Sequence, residues 1–493
     1  TSVSDKQFEP LGVVITRLGD PARVSAVTLA AGRGQLLRFV KSWGDPTDQW
    51  NEIQTERRMS EAESLVSNAN NSISAITVCM NMSPLANFKG SKDNPVATTD
   101  LIGRDAKGKR FAWCGWIFGS KKQSAYIASC SLFLPRDQYW FCNTYPNNGL
   151  WANYGEGNME EVLPKFGLGF STTNGTVESL YNIDKGGLST DVIYFTSKGN
   201  QDFLELSDKK IAPTWIPILN TPAALNFIHS WSLKSPSNRT TVGGTWLDRG
   251  VYAFVGSSRE PLLQAFVPPM EVMRRTMNLV PFLPASRWFS EQGQYAKPWR
   301  INTIGDPLML CGPKAITNRA RVEASVRLDC QNVLVEAELV MKQAIADPSD
   351  SSFANAINIV TLIGRDQIAS KLWLGAIEQS VAGPLSAKAA ISSLFRMKAV
   401  VAFLYAYQML EKPSGLEKDY LWQLAGILPE TPVELLVENI RTVYSCDDLR
   451  IIAPRLAKTR GKSAVLSIIN KYLPKARGRN ERELKRLLKD YGG

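Results

Sequence analysis

Residues 192–200, Val-Ile-Tyr-Phe-Thr-Ser-Lys-Gly-Asn, begin as a run of β-branched and aromatic residues and end in a polar, glycine-containing turn. About thirty residues later, residues 225–231 have a similar arrangement, Leu-Asn-Phe-Ile-His-Ser-Trp. Short apolar runs of this kind predict buried strands of a parallel sheet. Because open α/β folds gather their sites at the carboxyl ends of parallel strands, we expect the polar residues after both strands to lie side by side.

Strands and helices are predicted to alternate through the first 313 residues. Residues 143–190 are rich in Asn, Gly and Thr and predict long loops over the sheet, while residues 120–134 fit either a helix or a strand. The alternation is typical of an α/β domain with a mostly parallel sheet flanked by helices. Further strands are expected at residues 24–29, 73–80, 110–118, 223–228 and 251–255, and helices at residues 36–43 and 47–67.

After Pro313 the pattern becomes helical. Apolar residues recur at spacings of three and four over residues 319–346 and 352–410, and Ala and Leu dominate. The sequence therefore predicts three parts. They are an α/β domain at 1–313, an all-α domain at 314–453 and a basic amphipathic extension at 454–493.

The second half of the α/β region contains several distinctive motifs. They are Thr-Val-Gly-Gly-Thr-Trp-Leu-Asp-Arg-Gly-Val-Tyr-Ala-Phe-Val-Gly-Ser at 241–257, Glu-Pro at 260–261, Gln-Ala-Phe-Val-Pro at 264–268, Pro-Trp-Arg at 298–300 and Ile-Gly-Asp-Pro-Leu at 304–308. Together these motifs resemble the end of the gingipain-related, caspase-like domain of bacterial proteins, a type common in planctomycetes, and the resemblance covers roughly residues 90–313. It implies a caspase-like α/β fold and a cysteine peptidase dyad, with His-Gly after one strand and the nucleophilic Cys after the next.

Both positions of the implied dyad are substituted in this chain. Lys198 and Gly199 stand in the His-Gly position, and His229 and Ser230 stand where the cysteine is expected. A cysteine peptidase needs a thiolate and a neighbouring base, so these substitutions remove the reaction itself. We therefore expect a catalytically degenerate protein that acts as a structural, assembly or interaction component.

Two other functions stay open. One is an active cysteine- or serine-type peptidase with an unorthodox site around His229, in which Cys130 would be the thiol that approaches the imidazole. The other is a coat or shell protein whose basic tail faces nucleic acid. Peptidase assays and the size of the assembly would separate these alternatives.

Residue counts limit the chemistry of the chain. A single histidine excludes metal sites with two or three His ligands, and the seven cysteines show no CxxC spacing, so no metal or cofactor is predicted. Scattered cysteines in apolar runs favour reduced thiols and an intracellular location, although an earlier, removed signal peptide stays open. No apolar stretch approaches the ~20 residues of a bilayer span, so no transmembrane segment is expected.

The end of the chain carries most of the net charge of +11. Residues 454–493 contain twelve Lys and Arg against three acidic residues, a balance of +9. Amphipathic helices predicted at 463–473 and 482–491 could contact nucleic acid, an anionic membrane surface or an acidic protein, or could simply be solvated. We also expect a protein partner or a homo-oligomer. The candidate binding residues of the extension are Arg477, Arg479, Arg482, Lys485, Arg486 and Lys489.

Overall fold

The computed structural model describes residues 10–67, 73–89, 94–289, 293–313 and 332–492. The chain divides into two compact units, one formed by residues 1–180 and 189–324 and the other by residues 181–188 and 325–493. The predicted boundary at 313/314 borders residues 314–331, which lie outside the described residues. The helical pattern predicted for 319–331 lies there as well.

The first unit is built around a ten-stranded sheet, with two small three-stranded sheets beside it. The strands in chain order are β1 (Gly12–Thr16), β2 (Leu36–Phe39), β3 (Gln49–Trp50), β4 (Ala75–Cys79), β5 (Leu85–Ala86), β6 (Val96–Ala97), β7 (Trp113–Ile117), β8 (Gln138–Asn143), β9 (Gly169–Asn174), β10 (Val192–Thr196), β11 (Lys198–Asn200), β12 (Phe203–Glu205), β13 (Lys210–Ile211), β14 (Ala223–Ile228), β15 (Val251–Ser257) and β16 (Ile301–Ile304).

Helices precede and follow these strands, as predicted for an α/β domain. The α-helices before residue 313 are α1 (Arg23–Arg33), α2 (Glu52–Ser67), α3 (Thr98–Leu101), α4 (Lys121–Phe133), α5 (Met159–Val162), α6 (Val177–Asp184), α7 (Val242–Asp248), α8 (Pro269–Met277) and α9 (Phe282–Ala285).

The large sheet consists of two parallel halves. Its strand order is β2-β1-β4-β7-β16-β15-β14-β10-β8-β9. Neighbours are parallel within β2 to β16 and within β15 to β9, and only the central pair β15 and β16 is antiparallel. The prediction of a mostly parallel sheet flanked by helices is confirmed.

Burial on both faces explains the composition of the central strands. Every residue of β1, β4, β10, β14 and β15 is buried. Parallel sheets covered on both faces have near-continuous apolar strands, and each large side chain fully buried there contributes about 1.5–3 kcal/mol. The apolar runs in the sequence therefore predicted β4, β10, β14 and β15, whereas β1 was not predicted.

The prediction failed near the N-terminus, where strand and helix are exchanged. Residues 24–29, predicted as a strand, lie in α1, and β2 lies in residues 36–43, predicted as a helix. Ala26 and Leu29 bury one side of α1, and Gly34 ends the helix with a φ of 61°. A six-residue apolar run fits either structure, so packing against the sheet decided between them.

Two other segments are more regular than the sequence indicated. Residues 120–134 form α4, which begins where the Ser120 side chain accepts a hydrogen bond from the Gln123 amide. Residues 143–190 are not only loops, because they contain β9, α5 and α6. β9 lies at the edge of the sheet and is only partly buried, so its sequence lacks the apolar run of a central strand.

The second unit contains only helices from residue 333 onward, which confirms the predicted all-helical region. The predicted boundary at 453/454 falls inside the helix Ser445–Arg460. Among the described residues, no helix combines the length and apolar character that crossing a bilayer requires. The α-helices are α10 (Val333–Ala346), α11 (Asp350–Leu362), α12 (Asp366–Glu378), α13 (Pro384–Arg396), α14 (Val400–Gln408), α15 (Gly415–Leu424), α16 (Val433–Glu438), α17 (Ser445–Arg460), α18 (Lys462–Tyr472) and α19 (Gly478–Gly492).

Candidate functional site

The ends of β10 and β14 form one side of a cavity in the first unit. The two strands are parallel neighbours, with Thr196 opposite Ile228, so the residues that follow them meet at one edge of the sheet. Lys198, Gly199, His229 and Ser230 all line this cavity of about 250 Å³, which we call the His229 cavity. The structure thus brings together all four residues that the sequence singled out. The remaining lining residues are Tyr145, Trp151, Ile228, Glu260, Pro261, Leu262, Leu263 and Phe266.

The imidazole of His229 is packed between the backbone and an aromatic ring. It is 1% exposed and stacks on Phe227 with 4.7 Å between ring centroids. Its Nε2 lies 3.2 Å from the carbonyl oxygen of Phe203. Because a carbonyl only accepts hydrogen bonds, Nε2 must carry the proton. Nδ1 makes no hydrogen bond to any described side chain or backbone group.

Gly199 allows this close packing. A Cβ atom at position 199 would lie 2.4 Å from Nε2 of His229 and 2.4 Å from the Phe203 carbonyl oxygen. Any other residue would therefore displace the imidazole or the backbone of the small sheet that contains β11 and β12. Gly199 is explained by the space that the ring needs.

Burial also sets the protonation state of His229. It lowers the pKa of the imidazole to about 4, although backbone groups of Phe203 and Ser230 act in the opposite direction. The ring is consequently neutral at pH 7. An efficient general base has a pKa near the working pH, so this imidazole is a weak base for its position.

No nucleophile is paired with the imidazole in the described part of the chain. The six cysteines described there are all buried, and none is hydrogen-bonded to His229. Burial raises the pKa of all six thiols, for example to about 11 for Cys130 and to about 12 for Cys79, so they stay protonated at neutral pH.

The two alternative nucleophiles are also unpaired with the ring. Cys130 lies on α4, where its thiol interacts with Tyr126, and no described hydrogen bond joins it to His229. Ser230 lines the cavity, but its hydroxyl makes no hydrogen bond to the imidazole. A serine needs such a base to become nucleophilic.

Lys198 lies at an aromatic wall of the His229 cavity. Its exposed ammonium group is 4.5 Å from the centre of the Trp151 ring, which packs edge-on against Tyr145 at 4.5 Å. The Tyr145 hydroxyl donates to the Ile228 carbonyl at 3.1 Å, which fixes the wall to the end of β14. This wall was not predicted, because Tyr145 and Trp151 lie in residues predicted as loops. The aromatic residues themselves were its only sequence signal.

A residue that lines the cavity and one that follows a lining residue have unusual backbone conformations. Trp231 and Leu262 have φ values of 63° and 67°, in the left-handed region that residues with a Cβ rarely adopt. The Ser257 hydroxyl accepts a hydrogen bond from the Trp231 amide at 2.9 Å and donates to the His229 carbonyl at 2.8 Å. Strained residues held in this way are concentrated at binding and active sites, which supports a functional role for the cavity.

The six candidate residues of the basic extension fall into two groups. Arg479 lies 2.8 Å from Asp447, Lys485 lies 2.7 Å from Glu481, and Arg477 donates to backbone carbonyls. Arg482, Arg486 and Lys489 are exposed on α19 and form no ion pair with a described residue. Their spacing of four and three residues places them on one face of the helix.

Neither a metal site nor a comparison with known proteins indicates a function for this cavity. Among the described residues, no three His, Cys, Asp or Glu side chains lie close enough to share a metal ion. No protein-family model matches the chain, and no curated protein matches it significantly. The function must therefore be inferred from the sites themselves.

Proposed function

We propose that the first unit is a caspase-like domain related to the gingipains whose site no longer hydrolyses peptides. The protein then acts as a structural or assembly component that binds a protein partner or further copies of itself. The mostly parallel sheet, with Lys198 and His229 after neighbouring parallel strands, is consistent with this family. The family assignment rests on the sequence motifs and the arrangement of the site.

The low pKa of His229 and its lack of a hydrogen-bonded nucleophile are the main support for the proposed loss of hydrolysis. A cysteine or serine peptidase needs a base that accepts the proton of a nearby nucleophile. Here the imidazole has a pKa of about 4 and donates to a backbone carbonyl, and no described thiol or hydroxyl is hydrogen-bonded to it. The ring stabilises the turn around Phe203 instead.

The cavity remains suited to binding. Its volume of about 250 Å³ is below the usual size of a drug-like ligand site, but it is sufficient for one or two side chains of a partner chain. Trp151, Leu263 and Phe266 provide apolar contacts, while Lys198 and Glu260 offer one charge of each sign at the lining. This combination favours a peptide segment as occupant.

A peptidase assay with the full chain tests the proposal. We expect no cleavage of a diverse fluorogenic peptide library, and no labelling of the described cysteines by iodoacetamide at pH 7.5 in the folded protein. The same thiols should react in urea. Cleavage that is lost in His229→Gln or Ser230→Ala and retained in the matched surface variant Ser189→Ala would overturn the proposal in favour of an unorthodox peptidase.

The face of α19 supports a second candidate, contact with an anionic partner such as nucleic acid. Arg482, Arg486 and Lys489 lie together on the surface without described ion partners. Phosphate contacts by such residues would be independent of nucleotide sequence and would weaken steeply with salt. This contact is compatible with an assembly role.

A further inference from the structure

A second cavity in the first unit, separate from the His229 cavity, is lined by basic and aromatic side chains. Its volume is about 380 Å³, within the usual range for small-molecule sites. No acidic side chain is among the described residues that line it. We call it the basic cavity, and its lining residues are Ser74, Arg104, Lys107, Gly108, Lys109, Arg110, Phe111, Ala112, Trp113, Trp288, Phe289, Ala296 and Lys297.

A buried carboxylate lies behind the basic cavity. The side chain of Asp100 is 0% exposed and forms ion pairs with Arg104, Arg110 and Arg287. Its second oxygen accepts a hydrogen bond from the Trp299 amide at 2.5 Å. Three guanidinium groups therefore converge on a single negative charge.

This cluster leaves two positive charges without a described counter-ion. The guanidinium groups of Arg104 and Arg287 also donate to the backbone carbonyls of Ala296 and Ile301, which satisfies hydrogen bonds but not charge. Burying charges without counter-charges costs several kcal/mol per ion. Burial together with Arg104 and Arg287 lowers the pKa of Arg110 to about 9, even though Asp100 acts to raise it. An anion in the basic cavity would relieve this repulsion.

The loop at the rim adds further positive charge in a defined geometry. The Asp105 carboxylate accepts hydrogen bonds from the Lys107 and Lys109 amides at 2.8 and 2.9 Å, which folds the loop and engages the carboxylate in backbone contacts. Gly108 completes the turn with a φ of 85°. Lys107 and Lys109 are exposed at the tip of the loop and line the basic cavity.

Arg110 connects the buried cluster to the basic cavity. Its guanidinium group contacts the Asp100 carboxylate and lies 4.3 Å from the centre of the Trp113 ring. The side chain keeps 14% of its exposure. Arginine presents several donors in one plane, which suits the oxygens of a phosphate group.

We propose that the basic cavity binds a phosphate monoester carried on an aromatic or apolar group. A phosphate monoester has a charge of about −1.5 to −2 at pH 7, which matches the two positive charges that Asp100 leaves unbalanced. A carboxylate would balance only one of them. Trp288 and Phe289, which line the same cavity and are partly exposed, would contact the organic part of the ligand.

Titration calorimetry on the full chain tests this site with phenyl phosphate, inorganic phosphate and benzoate at equal ionic strength. We expect phenyl phosphate to bind more tightly than inorganic phosphate because of the aromatic wall, and benzoate to bind at least about tenfold more weakly because it carries one charge less. The triple variant Lys107→Gln, Lys109→Gln, Lys297→Gln should lower the affinity for phenyl phosphate by about tenfold or more.

A matched triple variant controls for the change in net charge. Lys121, Lys122 and Lys165 are exposed in the same unit and do not line the basic cavity, so their replacement by Gln should leave the affinity unchanged. Absence of phenyl phosphate binding at millimolar concentration, or equal losses in the two triple variants, would overturn the proposal. Binding of benzoate as tight as that of phenyl phosphate would overturn the assignment to phosphate.

Discussion

His229 and Asp100 are the two most informative ionisable residues of the first unit, and they differ in what faces them. Both are almost completely buried, and burial favours the neutral form of each. The imidazole meets backbone groups and the Phe227 ring, and its pKa falls to about 4. Burial raises the pKa of Asp100, but Arg287, Arg110 and Arg104 outweigh it and lower the pKa to about 2.

The comparison shows that partners, and not burial alone, decide whether a buried group is charged. The neutral imidazole of His229 has no hydrogen-bonded nucleophile among the described residues, although it occupies the strand end where a site was predicted. The charged cluster at Asp100 generates a positive potential that an anion can use. His229 was singled out from the sequence, whereas Asp100, which has the stronger electrostatic effect, was not.

The largest expected effect comes from removing the charge of Asp100. In Asp100→Asn the three arginines keep their positions but lose their common counter-ion, and we expect the free energy of unfolding to fall by about 3–5 kcal/mol. Urea unfolding followed by far-ultraviolet circular dichroism measures this change. The exposed Glu161→Gln serves as a control and should stay within about 0.5 kcal/mol of the unchanged protein. A similar small decrease for Asp100→Asn would show that the cluster is hydrated and not buried.

A smaller effect is expected from the protonation of His229. The pKa of His229 is about 4 in the folded protein and about 6.5 in the unfolded chain. The contribution of the neutral imidazole to the free energy of unfolding is therefore fully present above pH 6.5 and is lost as the pH falls toward 4. Between pH 7 and pH 5 the decrease should be roughly 2 kcal/mol. Asp100 titrates at about 2 and contributes nothing to this interval.

The variant His229→Gln isolates this contribution. Glutamine can still donate a hydrogen bond to the Phe203 carbonyl but does not titrate, so the difference between the two proteins should change by roughly 2 kcal/mol between pH 7 and pH 5. Since the chain has one histidine, proton resonances of a single imidazole report its pKa directly. A measured pKa near 6.5 would contradict the neutral, buried ring and with it the argument for the proposed loss of peptide hydrolysis.

Exposed charged residues should have a smaller effect on the free energy of unfolding than the buried groups His229 and Asp100. Replacing Arg482, Arg486 and Lys489 by Gln should change the free energy of unfolding by less than about 0.5 kcal/mol per residue. Fluorescence anisotropy with a single-stranded oligonucleotide should show weaker binding. The salt dependence of the affinity should also become shallower, by up to about 0.7 for each phosphate that the variant no longer neutralises.

A matched set of surface residues controls this measurement. Lys371, Lys388 and Lys412 are exposed in the helical unit and lie outside α19, so their replacement by Gln should leave the binding unchanged. If the protein fails to bind the oligonucleotide at low salt, or if both triple variants bind it equally weakly, the anionic contact on α19 is refuted.

The fold was predictable where a buried strand or helix requires a continuous apolar run or a regular apolar spacing in the sequence. The apolar runs at residues 73–80, 110–118, 223–228 and 251–255 all contain strands, and the change to helical periodicity after Pro313 marks the helical region. The exchange of helix and strand over residues 24–43 was not predictable, because short apolar runs fit either structure and long-range packing decides.

Some residues of the candidate sites could be predicted from the sequence, and others could not. The meeting of Lys198 and His229 followed from strand order, since neighbouring parallel strands end at one edge. The position of Cys130 could not be predicted, because its segment could not be assigned to a helix or a strand. The aromatic wall of Tyr145 and Trp151 was missed because no periodicity marks residues that reach a site from a loop.

The amino-acid sequence by itself determined the α/β character of the first part, the helical second part, the lack of a second imidazole and the concentration of charge at the end of the chain. These are properties of composition and local periodicity. Only the tertiary structure decided that Asp100 and Arg287 meet and that the His229 ring packs between Phe227 and Gly199. Contacts between residues far apart in the chain, and the removal of water around them, set the charge states, and neither is encoded in a local pattern.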